Sequence, residues 1–183
     1  MAIHDEEVLS LALQNPAQRR EAFSKIISLY QERLYWQIRK MVLVHEDADD
    51  VLQNTFLKAW RSLENFRGDS KLSTWLFRIA INESITFLNK QKQEREMMQE
   101  DSSDYLLDNL QADEYFDGDE VQQLLQEAIL KLPEKQRLVF NMRYFDEMKY
   151  EQMSEILSTS VGALKASYHI AMKKVEEYLS QFV

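Results

Sequence analysis

The sequence predicts an all-α chain: two small helical domains joined by an acidic flexible linker. Three observations carry that expectation. Apolar residues recur at spacings of three and four wherever the chain is apolar enough to test, the period of a helix with one buried face. Three Gly and two Pro among 183 residues are too few punctuators for a sheet protein built on tight turns. Charge is unevenly placed: residues 91–120 hold Lys92 and Arg95 against eleven Asp or Glu, which accounts for the whole net charge of −9. Residues 1–90 balance twelve cations with twelve carboxylates, and residues 121–183 balance eight with eight. Two neutral domains, 1–90 and 121–183, therefore flank the acidic segment 91–120.

Taken in order, residues 5–15 make a short amphipathic helix with Val8, Leu9, Leu11, Ala12 and Leu13 as its apolar residues, stopped by Pro16. A long helix follows from Gln18 to Val44, its stripe formed by Phe23, Ile26, Ile27, Tyr30, Leu34, Ile38, Met41 and Val42. His45 reads as a surface histidine. The next helix begins near Asp47, Asp49 and Asp50, where negative charge suits the helix dipole. Leu52, Phe56, Ala59, Trp60 and Leu63 form its apolar stripe, and Asp50, Gln53, Asn54 and Leu57 recur at the same spacing on another face. The residues around Gly68 end the periodicity, and Ser73 is placed to cap a helix carrying Trp75, Leu76, Ile79, Ala80 and Leu88.

Residues 91–120 lose the period once that helix runs out near Glu96. Rich in Gln, Glu, Asp and Ser, the segment cannot bury enough apolar surface to offset chain entropy and reads as a spacer. Periodicity resumes at Val121. One helix carries Leu124, Leu125, Ala128, Ile129 and Leu132 up to Pro133, and a second spans 134–144. A short helix over 150–157, the connection Ser158–Thr159–Ser160 and a longer helix over 161–179 read as a helix-turn-helix, with Ser160 as the cap of the second helix.

Composition excludes several kinds of chemistry. With no cysteine there is no disulfide and no thiolate nucleophile or metal site. No Gly-rich phosphate loop and no His-Glu metal helix is present, so neither a cofactor nor a metal is expected and the chain reads as a non-enzyme without a small-molecule substrate. The absence of a membrane-length apolar run or a leader at Met1 gives the expectation of a soluble cytoplasmic protein. What the sequence does offer is a loop beside two helix ends that presents Phe66, Arg67 and Lys71, with Trp75 and Arg78 just beyond. Aromatics interleaved with cations suit single-stranded nucleic acid, rings for bases and cations for phosphates. The same large rings, with Phe56 and Trp60, are also what a small core needs, and the Asp cluster also fits a plain solvated helix start.

The run D-A-D-D-V-L-Q-N-T-F-L-K-A-W, followed by F-R-G-D-S-K-L-S-T-W-L-F-R-I-A-I-N, resembles region 2 of the extracytoplasmic-function sigma factors of bacterial RNA polymerase. The L-P-x-x-x-R start at Leu132, the Y-E-Q-M-S-E-I-L helix and the S-V-G-x-L-K start at Ser160 resemble region 4 of the same family, in the family's order. The resemblance implies a protein that binds core RNA polymerase and reads and melts promoter DNA, usually under an anti-sigma factor that is in some cases membrane-anchored. It implies polymerase docking by Asp47, Asp50, Gln53, Asn54 and Leu57. It implies minus-ten recognition and melting by Asn65, Phe66, Arg67, Asp69, Ser70, Lys71, Trp75, Arg78 and Asn82. It implies minus-thirty-five reading by Ser160, Lys165, Ala166 and His169, with Lys173 and Lys174 nearer phosphates. Ser167, Ile170 and Met172 stand where many members carry arginine, which implies fewer phosphate contacts and a shallower salt dependence. Two rival readings are a helix-turn-helix regulator that does not dock on polymerase and a decoy that holds an anti-sigma factor.

Overall fold

A computed structural model of the chain describes residues 3–66, 68–98 and 120–182. These residues fall into two compact units, Met1–Leu88 and Asn89–Val183. Every regular element among them is helical.

In the first unit, α1 (Ile3–Gln14) and α2 (Arg19–Val42) are joined by a turn at Asn15, whose side-chain oxygen accepts the Ala17 N–H at 3.1 Å. Arg19 Nε donates to the Leu13 carbonyl at 3.0 Å and satisfies one acceptor that the end of α1 leaves open. Leu9 and Leu13 bury the inner face of α1, whereas Val8 and Leu11 are exposed. Helix α2 supplies the spine of the core: Ile26, Tyr30, Leu34 and Ile38 are fully buried along one stripe. Each such aliphatic side chain contributes about 1.5–3 kcal/mol on burial, so this stripe outweighs any surface contact of the unit. At the end of α2, Leu43 takes a left-handed conformation (φ 66°) with its side chain buried, and its N–H closes on the Arg39 carbonyl. The chain reverses there into α3 (His45–Arg61).

Helix α3 buries Ala48, Val51, Thr55 and Ala59 against the unit. This corrects the stripe expected from Leu52, Phe56, Ala59, Trp60 and Leu63. Ala59 and Leu63 are buried, but Leu52 and Phe56 are only half-buried and Trp60 is exposed. Small residues let α3 lie close along α2, and the large rings are displaced to the edge of the seam. There Phe23 of α2 meets Phe56 and Trp60 edge-to-face, with centroids 6.3 and 5.1 Å away. Thr55 is tolerated inside because its hydroxyl donates to the Val51 carbonyl at 2.7 Å. His45 is exposed, as expected, with Tyr35 Oη 2.7 Å from its Nδ1.

A single 3₁₀ turn (Leu63–Asn65) leads through the following loop to α4 (Leu72–Met98). The helix starts one residue before the expected cap, so Ser73 lies inside the first turn. Its N–H is capped instead from 67 residues away, donating to Glu6 Oε1 of α1 at 2.6 Å. Tyr30 Oη of α2 donates to the same oxygen at 2.9 Å. Past Lys90 the helix continues into the acidic segment, supported by the exposed i,i+4 pairs Lys90–Glu94 and Lys92–Glu96. The remainder of the expected linker, 99–119, lies outside the described residues.

The second unit holds α5 (Glu120–Leu130), α6 (Glu134–Tyr144), α7 (Tyr150–Leu157) and α8 (Val161–Leu179). Ala128, Ile129 and Leu132 pack with Phe140 of α6 and with Ala171 and Val175 of α8 into one core. Arg137 is buried, and its Nη1 donates to the Leu130 carbonyl at 3.4 Å, tying the end of α5 to α6. Burial pushes its guanidinium below the usual arginine range, with Glu134 offsetting part of the effect.

Two stability measurements follow. Gln37 of α2 is fully buried, and neither atom of its amide has a hydrogen-bond partner among the described residues. Gln37→Met, similar in volume and apolar, should raise the unfolding free energy by about 1–3 kcal/mol in a urea titration of the full chain. Glu6 is faced by Tyr30, Ser73 and Lys71. Burial opposes ionisation, but the Ser73 and Tyr30 hydrogen bonds and the Lys71 charge prevail and hold its carboxyl below the usual glutamate range. A carboxyl depressed in the folded state stabilises above its ordinary pKa and loses that contribution as pH falls through the folded value. Thermal melts of the full chain should therefore show wild type losing its advantage over Glu6→Gln as the pH is lowered below about 4.5.

Candidate nucleic-acid and partner-binding surfaces

The face of α3 opposite its buried seam carries the residues expected to dock. Asp50, Gln53, Asn54 and Leu57 are all exposed, and Asp47 is half-buried one turn earlier. Leu57 is 53% exposed, an apolar side chain set in a polar stripe with no core to serve. Arg61 continues the same face by the i,i+4 rule and was missed, because a cation at the end of a helix is explained by the dipole alone. Lys58 and Glu83 pair beside this face and tie α3 to α4. Asp50, Gln53, Asn54 and Leu57 stay exposed beside that pair.

The loop from Leu63 to Lys71 departs from the expected picture in one important respect. Phe66 does not project for stacking: it is 6% exposed. Its ring lies against Trp75 at 4.8 Å between centroids, tilted by 37°. The extended backbone of Phe66, following the tight 3₁₀ turn, swings the ring inward, where burial of an aromatic outweighs exposure to water. Trp75 is half-buried and supported from below, which leaves it as the aromatic presented at the surface. Gly68 holds φ +78°, a conformation L side chains rarely adopt. Asp69 and Lys71 are exposed and Ser70 is half-buried. Arg67 lies outside the described residues, as does the side chain of Asn65.

From the loop a stripe runs down α4. Lys71, Trp75, Arg78 and Asn82 follow one another at spacings of four, three and four and so share one face. Lys71 and Asn82 are exposed, while Trp75 and Arg78 are half-buried. A cation, a ring, a second cation and an amide in line are the groups that a stretch of unstacked nucleic acid can use. Arg33 of α2 lies over the Phe77 ring at 5.5 Å. Sequence reasoning missed Glu6, whose contact with Ser73 joins positions too far apart to leave a local signal.

In the second unit, α7, the turn and α8 form the expected helix-turn-helix. Ser158 is left-handed (φ 51°) and closes α7. Ser160 Oγ accepts the Ala163 N–H at 3.3 Å, so Ser160 caps α8. Leu164, Ala171 and Val175 are buried, which turns the opposite face outward. Ala166, His169 and Lys173 share that outer face, with Lys165 on one flank, and all four are exposed. Lys174 is also exposed but lies toward α6, donating to Gln136 Oε1 at 3.0 Å. Lys173 pairs with Glu177 at 3.8 Å. Exposed pairs of this kind contribute only about 0–1 kcal/mol and do not withhold a cation from phosphate.

An aromatic strut supports α8. Phe140 of α6 stacks on Tyr144 and on Tyr168 of α8, with centroids 5.1 and 5.9 Å apart. Tyr168 in turn meets Tyr150 of α7 at 6.5 Å, and Arg143 and Lys165 lie over the Tyr150 ring at 5.2 and 5.7 Å. Burial raises the Tyr168 hydroxyl above the ordinary tyrosine range, with Tyr150 and Tyr144 adding to the effect and Arg143 opposing it.

Comparison with known proteins gives these surfaces a family. The model of Sigma-70 region 2 matches residues 26–94, and that of Sigma-70, region 4 matches residues 122–175. Among curated relatives, the RNA polymerase sigma-H factor of Pseudomonas aeruginosa is 30% identical over 168 residues, 87% of each chain. The chain belongs to the extracytoplasmic-function sigma factors. The ECF RNA polymerase sigma factor SigW of Bacillus subtilis is 29% identical over 168 residues, 87% of this chain and 90% of that one. Among solved structures, CnrH in complex with the cytosolic domain of CnrY superimposes with a TM-score of 0.70 at 21% identity, covering 97% of this chain and 98% of that one. The sigma factor RpoE of Bartonella quintana, bound to the anti-sigma factor NepR, gives 0.66 at 22%, covering 86% and 96%. The fold is shared across that range of sequence.

As a sigma factor the chain directs promoter-specific initiation, with core RNA polymerase and promoter DNA as its partners. A helix-turn-helix regulator that never docks on polymerase is not favoured, because region 2 is matched as well as region 4. No helix among the described residues is long and apolar enough to cross a membrane.

The Ser160 cap is open to a direct test. Ser160→Ala should cost about 0.5–2 kcal/mol of unfolding free energy and Ser160→Gly only a few tenths. Denaturant titration of the full chain, followed through the second unit's transition, reads the difference.

Proposed function

We propose a division of labour within this sigma factor. The outer face of α3, with Asp47, Asp50, Gln53, Asn54 and Leu57, docks on core polymerase. The loop 65–71 with Trp75, Arg78 and Asn82 recognises and melts the minus-ten element, and the outer face of α8 reads the minus-thirty-five element. Residues 1–90 and 121–183 are the two working domains, and 91–120 is the acidic spacer between them. The observation that carries the reading is the stripe Lys71–Trp75–Arg78–Asn82, which begins at the left-handed turn of Gly68. Unstacking a base costs a few kcal/mol, and a ring with flanking cations offsets that cost only where an extruded base can reach it.

Phe66 has a supporting part in this scheme, not a contacting one. Buried beneath Trp75, it sets the height of the ring that meets the base. In the second domain, Lys165, Ala166 and His169 meet base edges, with Lys173 and Lys174 nearer phosphates. Ser160 contributes through its cap, which fixes the first turn of α8. The protein acts without catalysis of its own, in the cytoplasm, where promoter DNA and polymerase are found. It is held inactive by an anti-sigma factor. That last element rests on RpoE, which was solved bound to one, and on CnrH, which was solved bound to a cytosolic domain of another protein.

Two variants separate docking from melting. Asp50→Lys with Asn54→Lys should lower affinity for core polymerase by at least tenfold in a titration while leaving helix content unchanged, since like-charge placement at an interface costs several kcal/mol. Lys71→Ala with Trp75→Ala should retain core binding and lose permanganate reactivity of promoter thymines. Unchanged affinity in the first variant moves docking to another face. Persistent reactivity in the second reduces the loop to a structural turn.

A further inference from the structure

Helix α1 lies outside the stretch matched by region 2, which begins at residue 26. One of its faces is nevertheless turned to the loop assigned above to melting. Glu6, Ser10 and Gln14 recur at i, i+4 and i+8 and so form a single polar row. Glu6 accepts the Ser73 N–H at the start of α4. A Cβ on Gly68 would stand 3.7 Å from Ser10 Oγ and 3.9 Å from Gln14 Nε2, so the other two members of the row lie against the left-handed turn. The row therefore meets the loop on both sides of Lys71, at Gly68 and at Ser73.

We infer that α1 is a splint for the melting loop, and that Glu6 is a positioning residue for promoter opening. It acts on Trp75 through the first turn of α4, which it caps. The inference rests on the assignment of this loop to melting. The physical argument concerns preorganisation. A loop that must seize an unpaired base gains if its shape is fixed beforehand, because ordering it at the moment of capture would reduce the affinity. The first turn of α4 has no acidic residue of its own, and the bend depends on a glycine, the residue that loses most conformational freedom on ordering. The carboxylate of α1 supplies the missing negative charge at the helix start, anchored by the Tyr30 hydroxyl of the core helix. Leu9 and Leu13, alternating with the polar row, seat α1 on the unit.

The test uses full-length protein in holoenzyme, with a duplex promoter and the same promoter carrying a pre-melted bubble over the minus-ten element. Glu6→Gln keeps an acceptor without the charge, Glu6→Ala removes both, and Ser10→Ala with Gln14→Ala leaves the cap intact. All are compared at a temperature where melts show each variant folded. The expected result is graded loss of permanganate reactivity on duplex DNA, smallest for Gln and about tenfold for Ala, the scale of one hydrogen bond to a charged group. Core polymerase affinity should be unchanged and activity on the bubble largely restored. Equal loss on duplex and bubble would reduce Glu6 to a stabiliser of the unit and overturn the inference. So would full duplex opening by the Ala variant while Lys71→Ala with Trp75→Ala is defective. Full opening by every variant, the Lys71–Trp75 pair included, would instead remove the assignment of the loop itself.

Discussion

One carboxylate oxygen gathers three segments of the first unit. Glu6 of α1 receives the Tyr30 hydroxyl from the core helix and the Ser73 N–H from the start of α4, so the entry to α4 is fixed relative to the spine of the unit. Much else follows from where α4 begins. Its first turn brings Trp75 against the Phe66 ring, and the helical period then carries Arg78 and Asn82 along the same face. Hydrogen bonds to a charged acceptor are among the stronger ones available to a small domain, and this one is intramolecular and partly shielded from water.

Helix α3 shows how one element can bury one face and keep another open to water. Its inner face is made of Ala48, Val51, Thr55 and Ala59, small side chains that let it lie close to α2. Its outer face can then be given wholly to polar residues and to Leu57 without weakening the fold. The cost of the arrangement is that Phe56 and Trp60 find no room in the seam, and Phe23 holds them at its edge. In the second unit the division is similar, with Leu164, Ala171 and Val175 inside and Ala166, His169 and Lys173 outside. An aromatic chain from Tyr144 through Phe140 and Tyr168 to Tyr150 braces the pair α7 and α8 against α6.

The chain's acidity is compatible with DNA binding because it is segregated. The cations that face outward, Lys71 in one unit and Lys165 and Lys173 in the other, belong to domains that are each neutral overall. Salt at physiological strength screens exposed charges beyond about 8 Å, so a nearby lysine matters more to a phosphate than a distant acidic stretch does.

The sequence by itself determined the helices and the faces they offer. The bounds read for 134–144, 150–157 and 161–179 coincide with α6, α7 and α8, because Pro133 and Ser160 act through their nearest neighbours and need no tertiary help. The exposed row Asp50, Gln53, Asn54 and Leu57 was legible for the same reason, as a matter of period. Only the tertiary structure decided which way the large rings turn. A periodic pattern fixes the phase of a helix to within about one residue, or 100°, and the partner chooses within that margin. Phe23 thus left Trp60 outside the seam, and the 3₁₀ turn sent Phe66 inward although it sits between polar residues. The capping of α4 was beyond any local reading: Ser73 was expected to supply its own cap, and the acceptor came from Glu6 because helix packing, not chain proximity, brought a carboxylate to the open N–H.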